Sequence, residues 1–417
     1  MTGSMSKTGG AAVPLLEKLG SAKSTGTLLP DPEPREVHYT VISVDDHLVE
    51  PPHMFESRLP AALQERAPKV VETPDGRQQW VYEDAIHDQI GLNAVSGRPF
   101  DEWITDAIRF DQMRRGCWDV HERVKDMDID GVWASLNFPS SLAGFCGRVF
   151  CASKDQELGL ATLRAWNDWM ADEWHGAYPD RLIPIQIPWM PDPEIGAAEI
   201  RRNAARGFHA VSMPELPHNL GYPSLHTGYW DPIIEACAET ETVICLHVGS
   251  TGLTPVPDGA PMIEELAINF LANAFSTCVD WLWSGLPVRY PNLKIAHSEA
   301  GLGWVPMLLD RLDSIFDRSG YGKPNWMSAD LSPSEVLKRN FWFCTIEDPS
   351  TIELRDRIGI ENIMVESDYP HGDSTWPDTQ PLLRKWIDHL PVEDIRKITH
   401  LNAAALFHTP LPEVCVP

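Results

Sequence analysis

From residue 40 onward, short runs rich in β-branched and aromatic residues alternate with longer stretches whose apolar positions recur every three or four residues. This alternation predicts βαβ units and a parallel sheet. Eight runs have strand length and composition: 41–46, 132–137, 182–187, 208–213, 243–247, 293–297, 341–346 and 362–367. Eight parallel strands with intervening helices predict a closed (β/α)8, or TIM, barrel. Helical spacing runs through Leu158, Leu160, Leu163, Trp166, Trp169 and Met170, predicting a helix over 155–175. Asp192-Pro193 reads as a helix start and Gly207 as its stop. Asp348-Pro349-Ser350 reads as an N-cap with Pro at the first helical position, and a final helix is predicted over 392–407.

Two stretches break the rhythm. Residues 1–38 are rich in Gly, Ser, Thr and Pro and carry no signal-peptide pattern, so they read as a mobile arm before a barrel domain spanning 39–417. Between the first and second strands, about 50–131, lies a gap far longer than a βα loop needs. It holds Glu50-Pro51-Pro52, a hairpin signal at Thr73-Pro74-Asp75-Gly76 and the loop 91–99. An insertion there belongs at the C-terminal face of the barrel, as a cap over the site.

The strand ends carry the chemistry. The first run closes on Asp45 and His47, whose i, i+2 spacing puts both side chains on one face of a strand. Later runs end at His247, His297 and Asp368. Each residue alone has an ordinary use, as a turn cap or a hydrogen-bonded core histidine. Together, polar groups at four strand ends are costly to bury without a shared charge, so they predict a divalent metal at the barrel mouth. Imidazole with carboxylate suits Zn, Mn or Fe. Glu50, Glu299, Glu366 and His371 flank this set. They read either as groups that orient the ligands or, with His297, as a second metal position; one ion is favoured and two are the alternative. In the same region Arg98 is a candidate carboxylate clamp, and Trp304 and Trp376 are candidate walls of a substrate pocket.

These segments resemble the amidohydrolase superfamily, and more closely its amidohydrolase-related branch, which includes aminocarboxymuconate-semialdehyde decarboxylase and aromatic-acid decarboxylases. The resemblance rests on Asp45-x-His47, the DMDIDGV segment at 126–132, LHVG at 246–249, AHSEAG at 296–301, SDYPH at 367–371 and Asn402-Ala403-Ala404-Ala405. It implies Asp45, His47, His247 and Asp368 as metal ligands. It also implies His297 as acid/base beside the metal; His297 and Asp368 are expected to manage the proton, with Glu299 a further candidate catalytic residue. Asp45 stands where the superfamily more often has His, which speaks against a simple zinc hydrolase. The implied activity is metal-dependent decarboxylation or hydrolysis of a small carboxylated substrate. A dinuclear Fe/Mn oxygen-dependent hydroxylase is the alternative, and a non-catalytic partner subunit the third reading.

Composition adds exclusions. With 34 basic and 60 acidic residues the net charge is −26, which speaks against nucleic acid or anionic membrane as a partner. No apolar run is long enough to span a bilayer. The eight cysteines form no C-x-x-C pair and read as reduced, as in a cytoplasm. A small-molecule substrate and a homo-oligomer, a dimer foremost, are expected, with a hetero-oligomer as the other option.

Overall fold

The computed structural model describes residues 26–103, 106–252, 256–318, 323–345 and 347–417. The chain forms a TIM barrel with a cap inserted after its first strand. The parallel barrel strands are β1 (Ile42–His47), β5 (Ala134–Phe138), β6 (Leu182–Ile183), β7 (Ile185–Gln186), β8 (Ala210–Met213), β9 (Val243–His247), β10 (Ile295–Ser298), β11 (Phe341–Thr345) and β12 (Ile363–Val365). Their order is β6-β5-β1-β12-β11-β10-β9-β8-β7. The two ends of that list are halves of one strand interrupted at Pro184, which has no N–H to give to a ladder. β6 pairs with β5 at Ser135 and Leu182, while β7 pairs with β8 at Ile185 and Ala210. The ring therefore closes through residues 182–186, and its eight staves are the eight predicted runs. Residue 346, in the predicted seventh strand, lies outside the described residues.

Local signals act where the sequence puts them. Asp155 caps the helix Gln156–Trp169 by accepting from the Glu157 and Leu158 amides, and Asp192 caps Pro193–Ala204 through those of Glu194 and Ile195. Such caps are worth about 1 kcal/mol each. The stretch predicted over 155–175 continues through a wider turn at Met170–Trp174, and the last helix likewise widens at Lys397–Leu401. Asp348 departs from expectation. Its carboxylate accepts from the Leu302 amide and the Thr345 hydroxyl, and only short turns at Ile352–Leu354 and Arg355–Ile358 follow. Its side chain ties two strand ends together instead of capping a helix.

The cap between β1 and β5 contains an antiparallel sheet, β2 (Lys69–Glu72), β3 (Gln78–Tyr82) and β4 (Ala85–His87). Its first turn is the hairpin signalled at Thr73–Gly76, with Glu72 opposite Gln78 and Gly76 at φ +83°. The cap is stitched to the loop after β12, because the Val95 and Ser96 amides both donate to the Pro370 carbonyl, at 2.9 and 3.0 Å. Residues 26–38, part of the expected arm, lie along the domain through Leu29 N to Gly97 O and Arg35 N to Ile129 O, both 2.8 Å. Residues 1–25 lie outside the described residues. No described helix is long and apolar enough to cross a membrane.

Candidate metal centre

The mouth is built by strand alternation. Asp45 and His47 are both buried at the end of β1, while Asp46 between them faces the other way, accepting from the Ser43 and Ser367 hydroxyls and the Tyr369 amide. The β1–β12 seam is continued by the Asp368 amide donating to the Asp45 carbonyl and the His47 amide donating to the Tyr369 carbonyl. These bonds bring the carboxylates of Asp45 and Asp368 to the same end as both imidazoles. His47 Nε2 lies 2.9 Å from His247 Nε2, 3.3 Å from Asp368 Oδ1 and 3.6 Å from Asp45 Oδ1. His247 Nε2 is 3.5 Å from Asp45 Oδ1 and 3.4 Å from Glu299 Oε2. His371 stacks on His47 at 3.8 Å between ring centroids, with its Nδ1 3.0 Å from Asp368 Oδ1.

These groups fit a cation. Neither oxygen of Asp45 or Asp368 has a hydrogen-bond partner among the described residues, although both residues are fully buried. Buried polar atoms are almost always paired, so an orphaned carboxylate pair asks for a charge. Burial, then Glu366 and Glu299, holds the Asp45 carboxyl well above its ordinary range. Burial, then Asp373 and Glu299, does the same for Asp368. Burial lowers His247 to about 3 and, with His371 and His247 beside it, puts His47 well below its usual value. With no cation among them, every group is driven toward its neutral form, and a divalent ion would reverse that for the carboxylates.

Four ligand-type clusters converge among the described residues, each with its atoms within 4.8 Å of one another. They are Asp45–His47–His247, His47–Asp368–His371, Asp45–Cys344–Glu366 and Glu299–Asp368–Asp373. Glu299 and Asp368 also adopt left-handed backbone, φ +52° and +51°, which costs a non-glycine residue roughly 1 kcal/mol or more. Both strained residues aim a carboxylate at the same point.

The structure separates other expected members from this group. His297 pairs in register with Leu246 and Phe343, whereas Ser298 pairs with His247. Paired residues share a face, so the His297 ring is on the side opposite His247. There it stacks on Phe341 and Phe343 at 6.0 and 5.7 Å and meets the edge of Trp304. The expectation that it stands beside the metal is corrected by one residue of register. Glu50 accepts from the Ser140 amide and hydroxyl and from the Trp166 indole, so it is spent on the cap junction. Arg98 gives Nε and Nη2 to the Gln112 carbonyl and serves the cap fold. Trp304 packs against Phe275 and Phe343, and Trp376 lies under the Arg114 guanidinium; neither lines the cavity over the mouth. Glu366 is buried beside Cys344, accepting from the Glu299 amide and the Cys344 thiol.

The sequence reading missed Cys344, Asp373, Phe145 and Arg148. Cys344 pairs with Met364, two residues before Glu366, so alternation on both strands could have found it. Asp373 follows the SDYPH segment, whose turn returns it to Asp368. Phe145 lies 4.7 Å from the His247 ring and 5.6 Å from that of His47, and nothing local in the sequence announces it.

Above the mouth is a cavity of about 620 Å³ reached by His247, Glu299 and His371. Its walls are largely apolar, with Phe145, Leu220, Tyr222 and Phe270 among them, and the cap contributes Ile86 to Gln89, Leu92 and Asn93. A buried charged floor under apolar walls suits a small organic ligand with one polar end.

The amidohydrolase family model matches residues 110–409. Among solved structures, an amidohydrolase from Mycobacterium avium subsp. paratuberculosis K-10 is similar at 22% identity and TM-score 0.68, over 89% of this chain and 100% of that one. A 5-carboxyvanillate decarboxylase from Novosphingobium aromaticivorans DSM 12444, complexed with manganese and 4-hydroxy-3-methoxy-5-nitrobenzoic acid, is similar at 20% identity and TM-score 0.62, over 93% and 100%. A 2,6-dihydroxybenzoate decarboxylase from Rhizobium is similar at 17% identity and TM-score 0.56, over 89% and 99%. At such identities the likeness to these structures concerns the fold.

Proposed function

The chain belongs to the amidohydrolase family, and from that footing we propose that it is a divalent-metal-dependent lyase that decarboxylates a cyclic or aromatic carboxylic acid. The observation that carries the reading is the approach of His47 and His247 Nε2 to 2.9 Å beside the unpartnered oxygens of Asp45 and Asp368. In this proposal Asp45, His47, His247 and Asp368 hold the ion. When bound, it supplies positive charge for a substrate oxygen and offsets the carboxylates around it. The oxygen-rich set favours Mn or Fe over Zn, and the manganese in the carboxyvanillate enzyme supports that choice.

The residues divide the remaining work. Phe145, Leu220, Tyr222 and Phe270 exclude water from the bound acid. In the reaction the bond from carbon to carboxylate breaks, its electron pair stays on the carbon, CO2 leaves and the carbon takes a proton. Asp368 and His371 are assigned to that proton, since His371 lines the cavity and its Nδ1 is 3.0 Å from Asp368 Oδ1. Glu299 Oε2, 3.4 Å from His247 Nε2, adds negative charge beside the ion, while the Val248 carbonyl, 2.7 Å from Nδ1, orients that imidazole. His297 has no part in this scheme.

A second reading is favoured by one further observation, the convergence of Glu299, Asp368 and Asp373. An all-carboxylate position sharing Asp368 with the first site suits a second hard ion and an oxygen-dependent hydroxylase. One experiment separates the two readings. Full-length protein purified without oxygen is assayed for bound metals, and CO2 release and O2 uptake are followed with 2,6-dihydroxybenzoate, 5-carboxyvanillate and larger aromatic acids. One ion per chain with chelator-sensitive CO2 release is expected. Two ions with substrate-dependent O2 uptake overturn the lyase reading in favour of the hydroxylase, and protein with no bound ion overturns both.

A further inference from the structure

Among the described residues lining the cavity, Arg148 is the sole lysine or arginine. The other charged groups there are Glu299 at the mouth and Asp88, exposed at the rim. Most arginines of this protein are engaged: Arg114 with Asp126, Arg164 with Glu199, Arg289 with Asp231 and Arg98 with a carbonyl. By contrast, no carboxylate or carbonyl among the described residues accepts from the Arg148 guanidinium. A half-buried guanidinium offers five donors, and in the wall of a mostly apolar cavity a bound anion can take them in place of water.

The surrounding backbone is shaped to the side chain. Gly144 and Gly147 take φ +67° and +78°, and a Cβ on Gly144 would fall 2.6 Å from Arg148 Cγ and 2.8 Å from Nε. The stem therefore lies flat on Gly144. Phe145, against both His47 and His247, is three residues before Arg148, which places the two Cα atoms at most about 11 Å apart. The arginine and the metal-ligand cluster thus reach one cavity from nearby points.

We infer that Arg148 anchors a second anionic group of the substrate, a carboxylate or phenolate remote from the carboxylate that reacts. The inference rests on the carboxylic-acid reading above and deepens it: the substrate is a diacid or hydroxy acid with an apolar body lying along Phe145, Tyr222 and Phe270. The planar guanidinium suits bidentate pairing with a carboxylate. It is a binding residue, and the reacting carbon stays at the mouth.

The test titrates the full chain, as purified and after chelation, with naphthalene-2,6-dicarboxylate and with its monoamide, by calorimetry. Wild-type protein is expected to prefer the diacid by about tenfold or more, the range of a charge-assisted pair. Arg148→Gln is expected to lose that preference with an unchanged thermal midpoint, and Arg148→Lys to keep part of it. The preference is expected to survive chelation, since Arg148 belongs to none of the ligand clusters. Wild-type protein that fails to bind the diacid overturns the inference, as does an Arg148→Gln variant that still discriminates or a preference that disappears with the metal. Arg148-dependent discrimination in a protein that never binds metal would sink the lyase reading alone. CO2 release with indifference to Arg148 would sink the anchor alone.

Discussion

The Nδ1 atom of His247 lies 2.7 Å from the Val248 carbonyl oxygen, its own neighbour in the chain. A carbonyl only accepts, so Nδ1 carries the proton and donates, and the Nε2 lone pair is left facing His47 and Asp45. Fixing the tautomer from behind in this way is how a ligating imidazole is held ready. Val248 follows directly on the end of β9, so the backbone that positions His247 also sets its protonation.

The first prediction concerns the ion. His247→Ala combined with Asp368→Ala removes one imidazole and the carboxylate shared by two of the clusters. Metal content by elemental analysis should drop at least tenfold, with helical circular dichroism retained. A double variant that keeps its metal would refute the ligand assignment.

The pH dependence of the metal-free protein follows from Glu366. Burial holds its carboxyl up at about 7, above the ordinary value of 4.5. The folded value is the higher one, so its contribution to stability is present below 4.5 and is lost as pH rises through 7. His247 runs the other way, because its value near 3 lies under the ordinary 6.5 and stability falls as pH drops through that window. Comparing chelated wild type with Glu366→Gln isolates the carboxylate. Between about pH 5 and pH 8 the wild type should lose more thermal midpoint than the variant. Equal slopes would mean that Glu366 is ionised in the metal-free protein.

His297 provides a sharp check on register. Its ring is packed on Phe341, Phe343 and Trp304, and its Nε2 has no hydrogen-bond partner among the described residues. His297→Phe should therefore keep full metal content and near wild-type stability, while His297→Ala should cost about 2–4 kcal/mol in denaturant melts by leaving a cavity. Loss of metal in the Phe variant would return this residue to the mouth.

Gly144→Ala tests the seat of Arg148 without touching its charge. The new methyl meets the arginine stem at a backbone angle unfavourable to alanine, at a stability cost of about 1 kcal/mol or more. Diacid affinity should fall severalfold with metal content unchanged. An unaltered affinity would show that the stem does not need the glycine.

The barrel and the floor of its mouth could be read from the chain. Each stave is a short apolar run, and alternation within one strand needs no partner, so Asp45 and His47 fall together at the end of β1. Local capping at Asp155 and Asp192 is equally independent of tertiary contacts. Asp348 shows the limit, because its local pattern favoured a helix start and a neighbouring strand end supplied better donors.

What the tertiary structure alone decided is which face each strand turns inward and which groups remain without partners. Alternation assigns residues to two faces but does not say which one is the interior. A shift of one residue exchanges them, and register with β9 and β11 put His297 outside. Closure across Pro184 depends on pairing to β5 and β8, which are far apart in sequence. The placing of the Arg148 guanidinium in the cavity wall and the orphaned oxygens of Asp45 and Asp368 are likewise properties of the assembled surroundings. Residue order along a strand is written in the chain, whereas the electrostatic need for a cation exists only once distant strands have excluded water from the carboxylates.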